Sequence, residues 1–203
     1  MTICDITAQG GDLLIQQYHK NSIDLERYKK WNFELFVAIN RFNTKDRASK
    51  GRINWETGLV IYYMIKKSFG VRSGLELLNY SYQYDLINDT SFNKIKYVSL
   101  PVVIRIFPSN KFAIDFGFYY NNFLNGSNAQ NKNEWIKYEE GVFFNSFGFV
   151  SSFQYAIWKK FSVELKYRYQ KNSKKLYQRE TNNFSGFALG INYPLSKKSS
   201  KRQ

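Results

Sequence analysis

Phe112-Ala113-Ile114-Asp115-Phe116-Gly117-Phe118-Tyr119-Tyr120-Asn121 alternates without a break. Phe112, Ile114, Phe116, Phe118 and Tyr120 are large and apolar, whereas Ala113, Asp115, Gly117, Tyr119 and Asn121 between them are small, polar or charged. Successive side chains of an extended strand point to opposite faces, so this run predicts a strand with one apolar and one polar face. Its length also matches the roughly 9–11 residues with which a tilted strand crosses a bilayer.

Seven further segments read the same way. In Trp31–Phe42, the residues Trp31, Phe33, Leu35, Val37 and Ile39 share a face opposite Asn32, Glu34, Ala38 and Asn40. Ile53–Lys66 sets Trp55, Leu59, Ile61, Tyr63 and Ile65 against Glu56, Gly58 and Lys66. Val71–Tyr84 sets Val71, Leu75 and Leu77 against Arg72, Gly74 and Glu76, and Ile95–Phe107 sets Val98, Leu100, Val102, Ile104 and Ile106 against Ser99, Pro101 and Arg105. Phe143–Ile157, Phe161–Gln170 and Asn183–Leu195 complete the set.

Alternation alone also describes a half-buried sheet in a soluble protein. The connections separate the two cases. Lys67–Gly70, Pro108–Lys111 and Trp158–Lys160 are very short, whereas Asn43–Arg52, Asp85–Lys94, Asn122–Val142 and Lys171–Asn182 are long and polar. Short turns at one end and long loops at the other are the periplasmic and extracellular ends of a membrane barrel. The expectation is therefore an all-β chain: an eight-stranded, antiparallel, up-and-down transmembrane β-barrel over residues 31–195. An N-terminal arm (1–30) would precede it and a basic tail (196–203) would follow. The competing architecture is a soluble, lipocalin-like barrel whose apolar face lines a ligand cavity.

Composition points the same way. Hydrophobic residues make up 43% and aromatics 19% of the chain, yet mean hydropathy is −0.49. The longest apolar run, Leu59–Ile65, is far short of the ~20 residues of a spanning helix. Closed barrels are the other structure that satisfies its backbone inside lipid. Phe69, Phe107, Phe112, Trp158 and Phe161 gather at the short-turn end, where they are expected to form a periplasmic-side aromatic girdle.

The net charge of +14 comes from 30 Lys and Arg spread over the whole chain, which argues against a nucleic-acid interface and for a rim facing anionic lipid headgroups. The long loops carry Lys45, Arg47, Lys50, Arg52, Lys132, Lys137, Lys174, Lys175 and Arg179. These are candidates for contact with lipopolysaccharide phosphates. One Cys (Cys4) and one His (His19) supply neither a disulfide within the chain nor a Cys/His metal site. His19 lies in the arm, away from the strands, so no Ser–His–acid site is assembled on the barrel wall; no cofactor and no enzymatic activity are expected.

The polar face carries both signs: Glu34, Glu56, Glu76, Asp115 and Glu164 with Lys66, Arg72, Arg105, Lys166 and Arg168. Eight strands leave an interior that side chains just fill, and charges there must pair. A barrel-interior charge network that blocks the lumen is the expected arrangement.

Three motifs add a resemblance. Tyr97-Val98-Ser99-Leu100-Pro101-Val102-Val103-Ile104-Arg105 resembles a strand of the PorT-like outer-membrane β-barrel family of Bacteroidota. Val71-Arg72-Ser73-Gly74-Leu75-Glu76 and Tyr167-Arg168-Tyr169 resemble two further strands of it. The resemblance spans residues 31–195. It implies an OmpX-like eight-stranded barrel in the bacterial outer membrane and, for one member of that family, an accessory part in protein secretion with other envelope or secretion proteins as partners. The chain departs from the usual pattern at its end, where Tyr193-Pro194-Leu195 is followed by a basic extension. It also shows no complete export signal. Thr7-Ala8-Gln9 resembles the end of one, so the expectation is a start that is truncated or downstream of the true initiator.

Overall fold

The computed structural model describes residues 30–45, 49–85, 90–130, 134–138, 143–158, 161–171 and 183–195. The arm over 1–29, with Cys4 and His19, and the tail over 196–203 lie outside the described residues. Eight long strands carry the fold: β1 (Trp31–Thr44), β2 (Ile53–Lys66), β3 (Phe69–Asp85), β4 (Thr90–Ile106), β5 (Phe112–Gln130), β6 (Ser146–Trp158), β7 (Phe161–Lys171) and β8 (Phe184–Pro194). Each pairs antiparallel with its neighbours in sequence, and β1 pairs with β8 through Leu35↔Tyr193 and Val37↔Ile191 to close the ring. Closure leaves no sheet edge within the barrel.

Alternation decides which face is outside. Phe36, Val60, Val103, Tyr119 and Val150 are buried inside, while Val37, Val102, Phe118, Phe147 and Leu189 are at least half exposed on the outer wall. The apolar face of every spanning strand thus points away from the interior. This overturns the soluble-carrier alternative, which needs those same residues to line a cavity.

The strands run further than the apolar pattern. β4 starts at Thr90 rather than Ile95, and β5 continues to Gln130 rather than ending at Asn121. Ser91–Lys96 pair with Asn125–Gln130. Ser49–Gly51 adds to the end of β3 against Tyr82–Tyr84, and Ile136–Lys137 pairs with Ser127 and Asn128 on β5. Part of what reads as long loop is therefore sheet. The hydrogen-bonded ladder continues past the point where the outer face stops being apolar.

At the opposite end the turns are tight. Only Lys67 and Ser68 separate β2 from β3. A bulge at Ile65 shifts the register so that Lys66 stands directly opposite Phe69. The β6–β7 hairpin repeats this construction, with Trp158 opposite Phe161 beyond the irregularity at Ile157. Directly paired residues share a face, so both bulges rotate a residue of interior parity to the outside.

Candidate functional site

The interior of the barrel holds two stacked layers of different chemistry. The layer toward the short turns is ionic. On β5, Asp115 accepts two hydrogen bonds from Arg105 of β4, from Nε at 2.7 Å and from Nη2 at 2.8 Å, and a third from Arg72 Nη1 of β3 at 2.5 Å. Arg72 also donates to both oxygens of Glu164 on β7, at 2.7 and 3.2 Å. Glu164 receives Asn192 Nδ2 at 2.9 Å, and Asp115 receives Ser152 Oγ at 3.0 Å. Nearer the mouth, Glu34 lies 3.6 Å from Arg105 and accepts from the Tyr62 hydroxyl at 3.3 Å.

A second ionic group sits above it. Lys166 lies 3.4 Å from both Glu56 and Glu76, and Arg168 pairs with the same two carboxylates. Lys166 also stands 3.9 Å from the centre of the Phe36 ring, and Arg168 5.2 Å from that of Tyr119. Gly148 makes the second contact possible, since a Cβ there would lie 2.3 Å from the Tyr119 ring. All nine of these acidic and basic side chains are buried. The low-dielectric interior makes such groups costly unless paired and hydrogen-bonded, and here five strands supply partners for four cations.

Lys66 is the exception among the residues read as interior. It is exposed, because the bulge beside it carries it to the outer wall. The girdle needs one correction as well. Phe112, Trp158 and Phe161 are exposed and Phe69 is half-buried on the outer face. Phe107 keeps the parity of Arg105 instead and turns inward, 5.8 Å from that guanidinium and 6.3 Å from the Tyr62 ring. The backbone bond from Phe107 N–H to Ser68 O extends β4 by this one residue and sets its direction.

The layer toward the long loops is aromatic. Phe42, Leu78, Tyr80, Tyr82, Ile95, Tyr97, Phe143 and Phe184 form one buried cluster. Tyr80 is its hub, with ring centres 4.3 Å from Phe42, 5.0 Å from Phe184 and 5.6 Å from Tyr97. Reading for a single apolar face does not reveal this layer, although its signal is in the sequence: in β3 the large residues switch from Val71, Leu75 and Leu77 to Leu78, Tyr80, Tyr82 and Tyr84, a change of parity. The space left between Phe36, Ala38, Lys166 and Gly190 is too narrow to hold a water molecule. Among the described residues, no group of three or more His, Cys, Asp or Glu is placed to hold a metal ion.

On the long-loop rim, Lys50 pairs with Asp85 at 2.5 Å, and Arg52 lies 4.7 Å from the Phe92 ring centre. The Lys50 ammonium holds the Asp85 carboxyl below its ordinary value. Lys137 is exposed on its short segment. Arg47, Lys132, Lys174, Lys175 and Arg179 lie outside the described residues.

A closed ring of eight up-and-down strands with a charged, filled interior and an apolar exterior is the architecture of the small outer-membrane β-barrels. Solved structures were found that resemble this chain. Neisserial surface protein A matches with a TM-score of 0.50 at 10% identity, over 81% of this chain and 97% of that one. Ail, the attachment invasion locus protein of Yersinia pestis, solved with the heparin analogue sucrose octasulfate, matches at 0.49 and 12% identity over the same shares. The N-terminal β-barrel domain of Pseudomonas aeruginosa OprF matches at 0.42 and 11%, over 80% of this chain and 97% of the other. No family model and no curated protein matches the sequence.

Proposed function

We propose that this chain is an integral protein of the bacterial outer membrane that does not conduct solutes and works as a membrane-anchored binding or scaffolding protein without enzymatic activity. One observation carries the reading: the spanning part is inverted relative to a soluble protein, with Val37, Val102 and Phe118 more than half exposed outside and Arg72, Arg105, Asp115 and Glu164 buried and paired within. Such an exterior is stable in hydrocarbon and such an interior leaves no continuous aqueous path. The periplasmic-side girdle of Phe69, Phe112, Trp158 and Phe161 and the interior charge network are read here as the devices that fix its depth and its closure.

The sheet beyond the bilayer, with Lys50, Arg52, Lys94 and Lys96 on its outer side, is the candidate binding surface for lipopolysaccharide phosphates. The PorT-like resemblance supports a secretion-accessory role with other envelope proteins as partners. The test of the whole reading is electrophoresis of the purified protein in detergent with and without boiling, together with conductance across a planar bilayer. A heat-dependent mobility shift without channel steps is expected. A monodisperse β-rich protein obtained without detergent would sink the membrane assignment, and reproducible channel steps would sink the closed lumen.

A further inference from the structure

Just beyond the apolar wall, the outer face of β4 and β5 turns from hydrocarbon to ammonium groups. Ile95 and Tyr97 are fully buried inside, so Lys94 and Lys96, which alternate with them, point outward, and both are exposed. Lys94 stands directly opposite Ser127 of β5, and Ser127 directly opposite Lys137 of the short segment Ile136–Lys137. Paired residues share a face, so Lys137, also exposed, lies on the same outer wall. Lys96 stands opposite Asn125 in the row nearer the apolar wall.

The three lysines are close together. Neighbouring strands lie about 4.8 Å apart and a strand rises about 3.3 Å per residue. At the backbone, Lys94 is thus roughly 10 Å from Lys137 and about 7 Å from Lys96, a span that ammonium groups on flexible four-carbon stems can close. The Lys94 ammonium rests 3.9 Å from the centre of the exposed Trp135 ring, a contact that steadies it on the wall. Among the described residues no carboxylate pairs with the three. Asp85 is taken by Lys50 at 2.5 Å, Glu134 stands ahead of Trp135 outside the paired segment, and the other five acids face the lumen. On the neighbouring wall the cations are already engaged: Arg41 donates to Gly51 O at 3.0 Å, and Arg52 lies over the Phe92 ring.

We infer that Lys94, Lys96 and Lys137 bind a phosphate group of one lipid A molecule, with Asn125 and Ser127 supplying hydrogen bonds between them. The inference rests on the membrane reading above and narrows the proposed lipopolysaccharide surface to one wall of the barrel. The place of the patch selects its occupant. Lys96 and Lys94 continue the outward series of Val102, Leu100 and Val98, about 7 and 13 Å along the strand past Val98. A headgroup layer is about 5–7 Å deep, and strand tilt shortens both distances along the membrane normal. A lipid whose chains lie on Val98 and Leu100 therefore carries its headgroup to the lysines. The long loops mark this end as extracellular, the side of the phosphorylated glycolipid, whose phosphate each ammonium attracts as a point charge.

The test is calorimetric titration of the protein, folded in detergent micelles, with bisphosphorylated lipid A. Lys94→Gln, Lys96→Gln and Lys137→Gln should each weaken binding about fivefold, and the triple variant roughly a hundredfold. The same glycolipid stripped of both phosphates should bind the parent protein as weakly as lipid A binds the triple variant. Lys171→Gln on β7 and Lys66→Gln at the short-turn end should change the affinity by less than about twofold, since both lie beyond the screened reach of the site. Phosphatidylglycerol at equal concentration should not displace lipid A.

Equal affinity for the two glycolipids, or displacement by phosphatidylglycerol, overturns the site and leaves the membrane assignment standing. Lipid A binding that survives in the triple variant overturns this wall as the site and leaves a lipopolysaccharide surface elsewhere on the rim. Should the triple variant lack the heat-dependent mobility shift of a folded barrel, the single variants carry the test, and unchanged affinity in all three overturns the site. A parent protein that is monodisperse and β-rich without detergent overturns both the site and the membrane reading.

Discussion

The two layers of the interior obey opposite rules. In the spanning layer the inside is ionic and the outside apolar: Arg72, Asp115 and Glu164 are enclosed by a wall of Phe, Leu, Ile and Val. One layer further along the same strands, the inside is Tyr80, Tyr97, Phe42 and Phe184, and the outside carries the exposed Lys94 and Lys96. That upper layer is built like an ordinary water-soluble protein, with an apolar core under a polar surface. β3 and β4 pass from one regime to the other without interruption, whereas β5 crosses the boundary through a bulge at Leu124. On β3 and β4 only the parity of the apolar residues changes, between Leu77 and Leu78 and between Tyr97 and Val98. The reversal is the sequence's own mark of where hydrocarbon ends.

The strongest way to break the lower layer is to remove a cation. Arg72→Met leaves Arg105 alone against Glu34 and Asp115 and strips Glu164 of its ion-pair partner, and a buried pair broken on one side costs about 3–5 kcal/mol. Equilibrium unfolding of the inserted barrel in urea should show that loss. A change below about 1 kcal/mol would mean that water reaches the network and that the lumen is not dry.

The outer wall separates the layers more sharply. Phe116→Arg places a charge on the lipid face and should cost about 2–4 kcal/mol. Ile136→Arg, equally apolar in origin and 69% exposed but beyond the bilayer, should stay within about 0.5 kcal/mol. Comparable costs at both positions would erase the boundary drawn between the layers. Within the upper layer, Tyr80→Leu removes three ring contacts, each worth about 0.5–1.5 kcal/mol, so a loss of roughly 1.5–4.5 kcal/mol is expected. Because the soluble-type core is the target, easier proteolysis of the long-loop end should accompany it while the heat-dependent mobility shift persists.

Most of the fold was legible because a bilayer enforces one rule on every spanning strand. The outward faces of β1, β4, β5 and β8 could be read residue by residue from alternation, and so could the burial of Glu34, Glu56, Arg105 and Arg168. Lys66 was misplaced because alternation assumes a constant register, which the bulge at Ile65 breaks. Phe107 was misplaced for the opposite reason: the alternation of β4 continues one residue past Ile106 and carries it inward with Arg105, where a place in the girdle needs it outside. The strand ends Thr90–Lys94 and Asn122–Gln130 read as loop because their outward residues face water, where polar side chains fit a strand and a loop equally well. The aromatic core was hidden for a related reason: its residues have the parity assigned to the polar interior, and a search for a single apolar face passes over them.

The smallest expected effect lies at the rim of the upper layer. Asp85 is exposed and pairs with Lys50, which lowers its pKa below the ordinary value of 3.8. A carboxylate whose folded pKa is depressed contributes stability above its unfolded pKa and loses it as pH falls through the folded value. The contribution of this pair is therefore complete at neutral pH and is lost progressively as pH falls below about 4. Exposed pairs are screened by salt, so Asp85→Asn should give only a slight destabilisation at pH 7 in dilute buffer, none in molar salt, and a smaller one the further pH falls below the ordinary carboxylate value. If Asp85→Asn instead destabilised the protein as strongly as Arg72→Met, the rim would be as dry as the spanning lumen. The comparison between an inverted and an ordinary layer would then fail at the point where water should be most abundant.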